Sequence, residues 1–557
     1  MRVPAFGWQV ALAFVLSLLV LEGTIAWLGN VHIATSNGMY KAIQAEPWIA
    51  DPFTARLDPS NYLYFPLYGL SCRLLDWLGI WRGMAWKQLA VLNAFWASVC
   101  VAFVYAFFHR LTSSVCVAAL AACFHLGSGF VLLLAVISED IMPGYTLVFG
   151  AMALAGLWFD KPTARRVIAV AALFTFGWLI EWRLIFPTLP ALVLALLVAR
   201  DTIGRRLAMI GVLLVSIVAV AGLVQLFWEG HNGAVGLHDI LWTGKGVDTG
   251  WAGFTVEKLW MMLSGVSNYF LITSFDLRAD FPNMESAGAR WLAVGVAILE
   301  IVILIATAVV LWPRRSDPRL RAIAAVFLGT AGAGEIFNLY SQPHEPQMQV
   351  NVMLWLTVAW GLLVAAVGGR RAWCALFAVL SVVPFAWNLA MLSRERGRDA
   401  LWTGALASIE RTLLPESTVF VYWGFETITT WQYALWSQTW DWGQVGPAPP
   451  APAANPKFKW IAVTSGAIHH AQWTADEHAT ALKRDIEMAF DRGYRVVASN
   501  VWDWSAAYLA SQFGMLSAAG RAGAIHTMLH ESYVAMPVFT DERIGPYYEL
   551  KRRSASR

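Results

Sequence analysis

Four short clusters of chemically capable residues stand out from an otherwise apolar chain. The first runs from Glu46 to Asp51 and on through Leu57-Asp58-Pro59-Ser60-Asn61. The second is Ser138-Glu139-Asp140, the third Glu181-Trp182-Arg183. The fourth runs from Tyr340 to Gln349 and contains His344, Glu345 and Gln347. A carboxylate can take a proton from an attacking hydroxyl. Arginine, tyrosine, histidine and amide donors can hold a phosphate leaving group, and a divalent metal ion such as magnesium or manganese often shares that charge. The residue types therefore fit group transfer from a phosphate-bearing donor. In that chemistry Asp51 or Asp58 is the candidate base, and Glu139 or Asp140 a second carboxylate. Arg183, Tyr340, His344 and Gln347 are the candidate phosphate ligands, and His344 with Glu345 the candidate metal ligands.

Each cluster also has a structural explanation. Asp58-Pro-Ser suits a turn, and Glu139-Asp140 suits the acidic start of a helix. Glu181 and Arg183 can pair with each other. The segment around His344 lies between two prolines and can be a polar turn. Gln347 and Gln349 carry polarity toward an apolar run, where an amide needs a partner.

The elements that must position these clusters are membrane helices. Of 557 residues 58% are hydrophobic and only 14% charged, against roughly a quarter charged in soluble domains. Long uncharged runs in lipid must be helical, because lipid leaves backbone N–H and C=O groups unsatisfied. About eleven spans are expected, near 8–29, 88–108, 113–137, 142–159, 167–180, 184–199, 207–228, 291–312, 322–341, 348–367 and 372–392. Thirty tryptophans suit lipid–water boundaries. A net charge of +3 argues against a nucleic-acid partner. The five cysteines form no pair in one aqueous segment, so neither a disulfide framework nor a zinc site is expected. The N-terminus reads as an uncleaved first helix.

Charge sets the expected orientation. With the N-terminus in the cytoplasm, the inner loops carry Arg110, Lys161, Arg165, Arg166, Arg200, Arg205, Arg206, Arg314, Arg315, Arg319, Arg321, Arg370 and Arg371. Residues 30–87 and 229–290 then form large outer loops. Segment 61–87 contains Arg73, Asp76 and Arg82 and is read as helices lying along the surface. The organisation is thus a membrane module over 1–392 and an outer-face soluble α/β domain over 393–557. In the latter Val419–Tyr422, Trp460–Val463 and Tyr494–Ala498 read as strands, Ala475–Arg492 as a helix and 446–456 as a Pro/Ala-rich loop.

The order of parts resembles the GT-C superfamily of membrane glycosyltransferases. Tyr62-Leu-Tyr-Phe-Pro-Leu-Tyr-Gly69, extending to Gly79, is similar to that family's Pro-Pro-Leu-aromatic segment, and Gln88-Leu-Ala-Val-Leu-Asn93 to its follow-up. Glu139-Asp140-Ile-Met-Pro143 stands where the family has its second acidic motif, and Trp182-Arg183-Leu-Ile-Phe-Pro187 matches a Trp-Arg-x-x-x-x-Pro segment. The usual acidic pair just after the first helix is absent, and only Pro66 stands where two prolines are common. The resemblance implies a polyprenyl-phosphate sugar donor, an acceptor that is a glycolipid, glycan or protein, and contact with membrane lipids. It places the enzyme in a bacterial-type inner membrane with a periplasmic C-terminal domain. The rival readings are a lipid or solute transporter or flippase, which would carry ionisable groups inside its helices, Glu300 and Glu335 being the main ones here, and a non-catalytic assembly protein.

The charge bias generates a topology test. Single cysteines at positions 165, 205, 315 and 370 should label only from the cytoplasmic side. Labelling of position 315 from outside would reverse the orientation.

Overall fold

The computed structural model describes residues 3–29, 45, 48–51, 62–82, 85–232, 254–273, 286–340, 349, 351–367, 371–394, 396–397, 412–413, 417–423, 438–439, 459–463, 474–498, 500–503, 505, 516–541 and 545–553. The chain divides into two compact units. One comprises Met1–Val31, Trp48–Thr243 and Gly253–Arg396, the other His32–Pro47, Gly244–Ala252 and Gly397–Arg557.

The first unit is helical: α1 (Val3–Leu28), α2 (Tyr64–Trp77), α3 (Ala85–Thr112), α4 (Val115–Gly127), α5 (Gly129–Val136), α6 (Ile141–Trp158), α7 (Ala164–Ile180), α8 (Ile185–Leu197), α9 (Ile203–Asn232), α10 (Glu257–Phe270), α11 (Ala287–Leu311), α12 (Pro318–Tyr340), α13 (Asn351–Val367) and α14 (Arg371–Ser393). Among the described residues seven helices are long and apolar enough to cross a membrane, on α1, α3, α6, α9, α11, α12 and α14. The pair α4–α5 makes an eighth if its 61° bend is one broken span. Ser128 makes that bend. Its hydroxyl donates to His125 O (2.8 Å) and accepts from Val131 N (3.3 Å), ending one helix and capping the next. The other three expected spans fall on shorter helices, α7, α8 and α13, of 17, 13 and 17 residues.

Helix α2 holds 14 residues, about 21 Å of helix and less than the ~20 residues a span needs. Tyr64, Tyr68, Cys72 and Leu75 recur on its buried stripe, while Leu70, Leu74 and Trp77 are exposed. An apolar exposed face of this kind suits a lipid–water boundary. Gln88 Nε2, from the first turns of α3, donates to Asp76 Oδ1 (2.7 Å) and Ile80 O (3.0 Å), fixing the end of α2 against α3.

Helices α6 and α7 approach closely because glycines face each other. A Cβ on Gly144 would lie 2.5 Å from Glu181 Cβ and 2.8 Å from Gly177 O. A Cβ on Gly177 would lie 2.6 Å from Val148 Cγ2. Small residues are what let helix backbones meet inside a bilayer.

The second unit is a six-stranded mixed sheet with helices: β1 (Thr418–Trp423), β2 (Gln438–Thr439), β3 (Lys459–Val463), α15 (Ala475–Asp491), β4 (Arg495–Ala498), α16 (Leu516–Ser532), β5 (Tyr533–Asp541) and β6 (Gly545–Arg552). The strand order is β2-β3-β1-β4-β6-β5. β2, β3, β1 and β4 pair in parallel, and β6 joins β4 and β5 antiparallel. Val419, Val421, Val496 and Ala498 pack with Leu482 and Ile486 of α15 and Ile525 and Leu529 of α16. Thr474 and Glu477 form a capping box at the start of α15. The chain therefore combines a helical membrane part with an α/β sheet region in its C-terminal third.

The glycine contact between α6 and α7 predicts unequal effects. Gly144→Ala should lower stability by about 1–3 kcal/mol through overpacking. Gly295→Ala, where a Cβ meets nothing within 4 Å, should be neutral or raise it by up to about 1 kcal/mol. Thermal unfolding of the two variants in one detergent checks the contrast.

Candidate active site

Two acidic tips converge at one end of the helical unit. Ile137 leaves α5 in extended backbone, and Ser138-Glu139-Asp140 leads into α6. Pro143 sits in the first turn of α6, where its missing N–H removes no helical bond. The second tip follows α7: a 3-10 turn over Trp182–Leu184 leads into α8, with Pro187 again in the first turn. Glu181 caps that turn, accepting from Arg183 N at 3.1 Å.

Arg183 joins the tips. Its Nε lies 2.8 Å from Glu181 Oε1 and its Nη2 3.5 Å from Asp140 Oδ1. Glu139, Asp140, Glu181 and Arg183 are all buried. Two carboxylates, of Asp140 and Glu181, thus meet one guanidinium away from solvent, with Glu139 buried next to Asp140 in the chain.

Polar contacts from α2 and α3 hold the first tip. Asn93 Nδ2 donates to Ile137 O and Glu139 O, both at 2.7 Å. Tyr68 OH donates to Asn93 Oδ1, and Tyr64 OH to Glu139 O at 3.4 Å. Leu63 N donates to Leu179 O (2.9 Å), tying the start of α2 to the end of α7. Burial pushes the Tyr64 and Tyr68 phenols far up, and the neighbouring Asp140 and Glu139 charges add to it. Both remain neutral hydrogen-bond donors at physiological pH.

The α10 segment closes another side. The Tyr269 phenol is raised by burial, next by Tyr145, Glu335 and Glu181, with Arg183 opposing. Its ring stacks on Phe130 at 4.5 Å, and Phe130 meets Tyr145 at 5.3 Å. The Tyr145 and Tyr269 hydroxyls are buried and meet no hydrogen-bond partner among the described residues. On α12, Glu335 Oε1 accepts from Asn351 Nδ2 (3.1 Å), and Asn338 Nδ2 donates to Gln349 Oε1 (2.9 Å) and Asn351 Oδ1 (3.0 Å). Lys258 Nζ donates to Tyr340 O (2.7 Å), closing the C-terminus of α12, and burial draws its ammonium down to about 8.

Of the residues singled out from sequence, Glu139, Asp140 and Arg183 are brought together. Asp51 is solvent-exposed after the helical turn at 48–50. Tyr340 ends α12, its ring 5.5 Å from Phe254. Asp58, His344, Glu345 and Gln347 lie outside the described residues. Gln349 bonds to Asn338, the packing alternative for the polarity entering α13. Among the described residues no group of three His, Cys, Asp or Glu side chains could hold a metal ion. Sequence reasoning passed over Asn93, Tyr145 and Tyr269 as site residues. An Asn five residues past Gln88 in an apolar helix was the available signal, since lipid offers an amide nothing.

This architecture holds carboxylates and an arginine at one end of a helical membrane unit. The chain superposes on ArnT from Cupriavidus metallidurans bound to undecaprenyl phosphate, with a TM-score of 0.51 and 15% identity over 98% of both chains. It also matches an oligosaccharyltransferase from Archaeoglobus fulgidus in complex with zinc and sulfate, with a TM-score of 0.54 and 13% identity, covering 96% of this chain and 72% of that one. At these identities the likeness is one of fold. No family model and no curated protein matches the sequence itself.

The contacts of Asn93 generate a test of the tip. Asn93→Leu strips two buried carbonyls and one phenol of their partner, and should cost about 1–3 kcal/mol or more. Asn93→Asp, which keeps the acceptor but loses the donors and adds charge beside Glu139, should cost at least as much. Thermal unfolding reads both. Wild-type stability in either variant would show that the tip does not depend on this amide.

Proposed function

We propose that the chain is a membrane glycosyltransferase that moves a sugar from a polyprenyl-phosphate donor to an acceptor at the outer membrane face. The observation that carries this reading is the buried meeting of Arg183 with Asp140 and Glu181, next to the buried Glu139, within a fold shared with a protein bound to undecaprenyl phosphate.

In the proposed reaction the acceptor hydroxyl attacks the anomeric carbon of the donor sugar. The bond from that carbon to the phosphate oxygen breaks, and polyprenyl phosphate leaves with the electron pair. Asp140 accepts the hydroxyl proton, with Glu139 beside it orienting the acceptor. Arg183 pairs with Asp140 and is the fixed cation near which the phosphate gathers charge. Tyr145 and Tyr269 supply neutral O–H donors to the sugar or phosphate, which answers for two buried hydroxyls that meet no partner among the described residues. A divalent metal ion held by His344 and Glu345 would share the phosphate charge. Asp51 and Asp58 are second candidates for the base, acting from loop one. The outer-face placement rests on the arginine bias of the opposite loops.

The test is sugar transfer by purified protein with polyprenyl-phosphate-linked sugars. Asp140→Asn should lower turnover by about 10²–10⁴-fold. Tyr269→Phe should lower it less, on the order of tenfold, while leaving the melting temperature unchanged. Arg183→Lys, which keeps charge but loses the planar fork, should fall between them. Full turnover in Asp140→Asn and Glu139→Gln together would sink this assignment of the base.

A further inference from the structure

A second feature lies at the other end of the same helices. A cavity of about 500 Å³ opens between α11, α12 and α13, within the range of about 300–1,000 Å³ typical of specific ligand pockets. Its wall is apolar, and the small residues Ala308, Ala324 and Ala359 leave the space. Two arginines, Arg315 and Arg321, line it where α11 ends and α12 begins.

Position along the helix separates it from the acidic tips. Arg321 and Glu335 are fourteen residues apart on α12, about 21 Å of helix. From Arg321 to Leu328, also in the wall, the cavity follows seven residues, about 10 Å. That is most of one leaflet of a hydrocarbon core about 30 Å thick.

We propose that this cavity binds one anionic phospholipid of the adjoining leaflet, with an acyl chain between the helices and the phosphate on Arg315 and Arg321. Charge complementarity selects the occupant. Neither arginine pairs with a carboxylate among the described residues. The acidic groups nearby are engaged elsewhere: Asp160 lies 3.8 Å from Arg319 Nε, and Asp317 Oδ1 accepts from Arg319 N at 2.9 Å. The Arg315 guanidinium lies 4.8 Å from the centre of the Trp312 ring, and its Nη1 donates to Trp312 O at 3.2 Å. Trp312 is itself exposed, as a boundary tryptophan is. An ordered cation at the mouth of a chain-deep apolar slot is what a phosphate head above an acyl tail requires. This site is independent of the sugar-transfer reading and stands or falls without it.

The test uses the full chain in detergent, offered equal amounts of phosphatidylglycerol and phosphatidylcholine with identical acyl chains, and counts lipid adducts by native mass spectrometry. The expected result is a preference for phosphatidylglycerol on the order of tenfold. Arg315→Gln with Arg321→Gln should bring it near parity, whereas Arg314→Gln, outside the cavity, should leave it. Ala324→Phe, which fills the slot without changing charge, should lose both adducts. Near parity in wild type, a preference surviving the double variant, or an equal loss in Arg314→Gln would overturn the site. So would adducts retained by Ala324→Phe, or displacement of phosphatidylglycerol by an equal amount of undecaprenyl phosphate.

Discussion

The helical unit is organised around a buried guanidinium. Arg183 meets Glu181 and Asp140 where all three are out of water. Removing such charges from solvent costs several kcal/mol per ion, and mutual attraction offsets that only with good geometry and further hydrogen bonds. The surrounding structure supplies that geometry. Gly144 and Gly177 let α6 and α7 close up, so the two acidic tips are neighbours. Proline enters both following helices in the first turn, so each tip turns sharply into the bundle. Larger residues at those glycines would part the helices and leave charges buried without their partner, the costliest outcome for a buried pair.

Helices α2 and α3 complete the arrangement. Tyr64, Tyr68 and Asn93 direct neutral donors at the backbone and amide acceptors of the first tip, and leave its carboxylates to Arg183. Neutral donors are the suitable choice, since another cation would compete with Arg183 for Asp140. Helix α2 is therefore both a boundary element, with Leu70, Leu74 and Trp77 outward, and the cover of the charged pocket. Excluding water strengthens every electrostatic interaction beneath it, which suits a transfer reaction that must not become hydrolysis.

Several other polar groups buried in this unit also pair with one another. Asn338, Gln349, Asn351 and Glu335 satisfy one another across α12 and α13, and Gly334 makes room for the Asn351 amide. Lys258 satisfies the carbonyl at the end of α12. Tyr145 and Tyr269 lack a hydrogen-bond partner among the described residues, and Tyr269 senses the charges of Arg183, Glu335 and Glu181. Hydroxyls in that position are suited to a ligand.

Much of the architecture was legible in the linear chain. Long uncharged runs determine membrane helices, because lipid satisfies no backbone group. Alternation to short β-branched runs around a capped amphipathic helix determined β1, β3, α15 and β4. The β5–β6 pair and α16 escaped notice, since their mixed residues carry no clear period and owe their form to pairing across the sheet. The sequence also singled out Glu139, Asp140 and Arg183, because charge in an apolar chain is itself a signal. It could not say that Arg183 would bridge both tips, nor that Asn93 would hold one of them. Those contacts join positions 43 to 46 residues apart (Asp140 to Arg183, Asn93 to Glu139), and depend on two glycines bringing separate helices together. Sequence sets which groups lipid cannot tolerate alone, and only tertiary packing decides which of them meet.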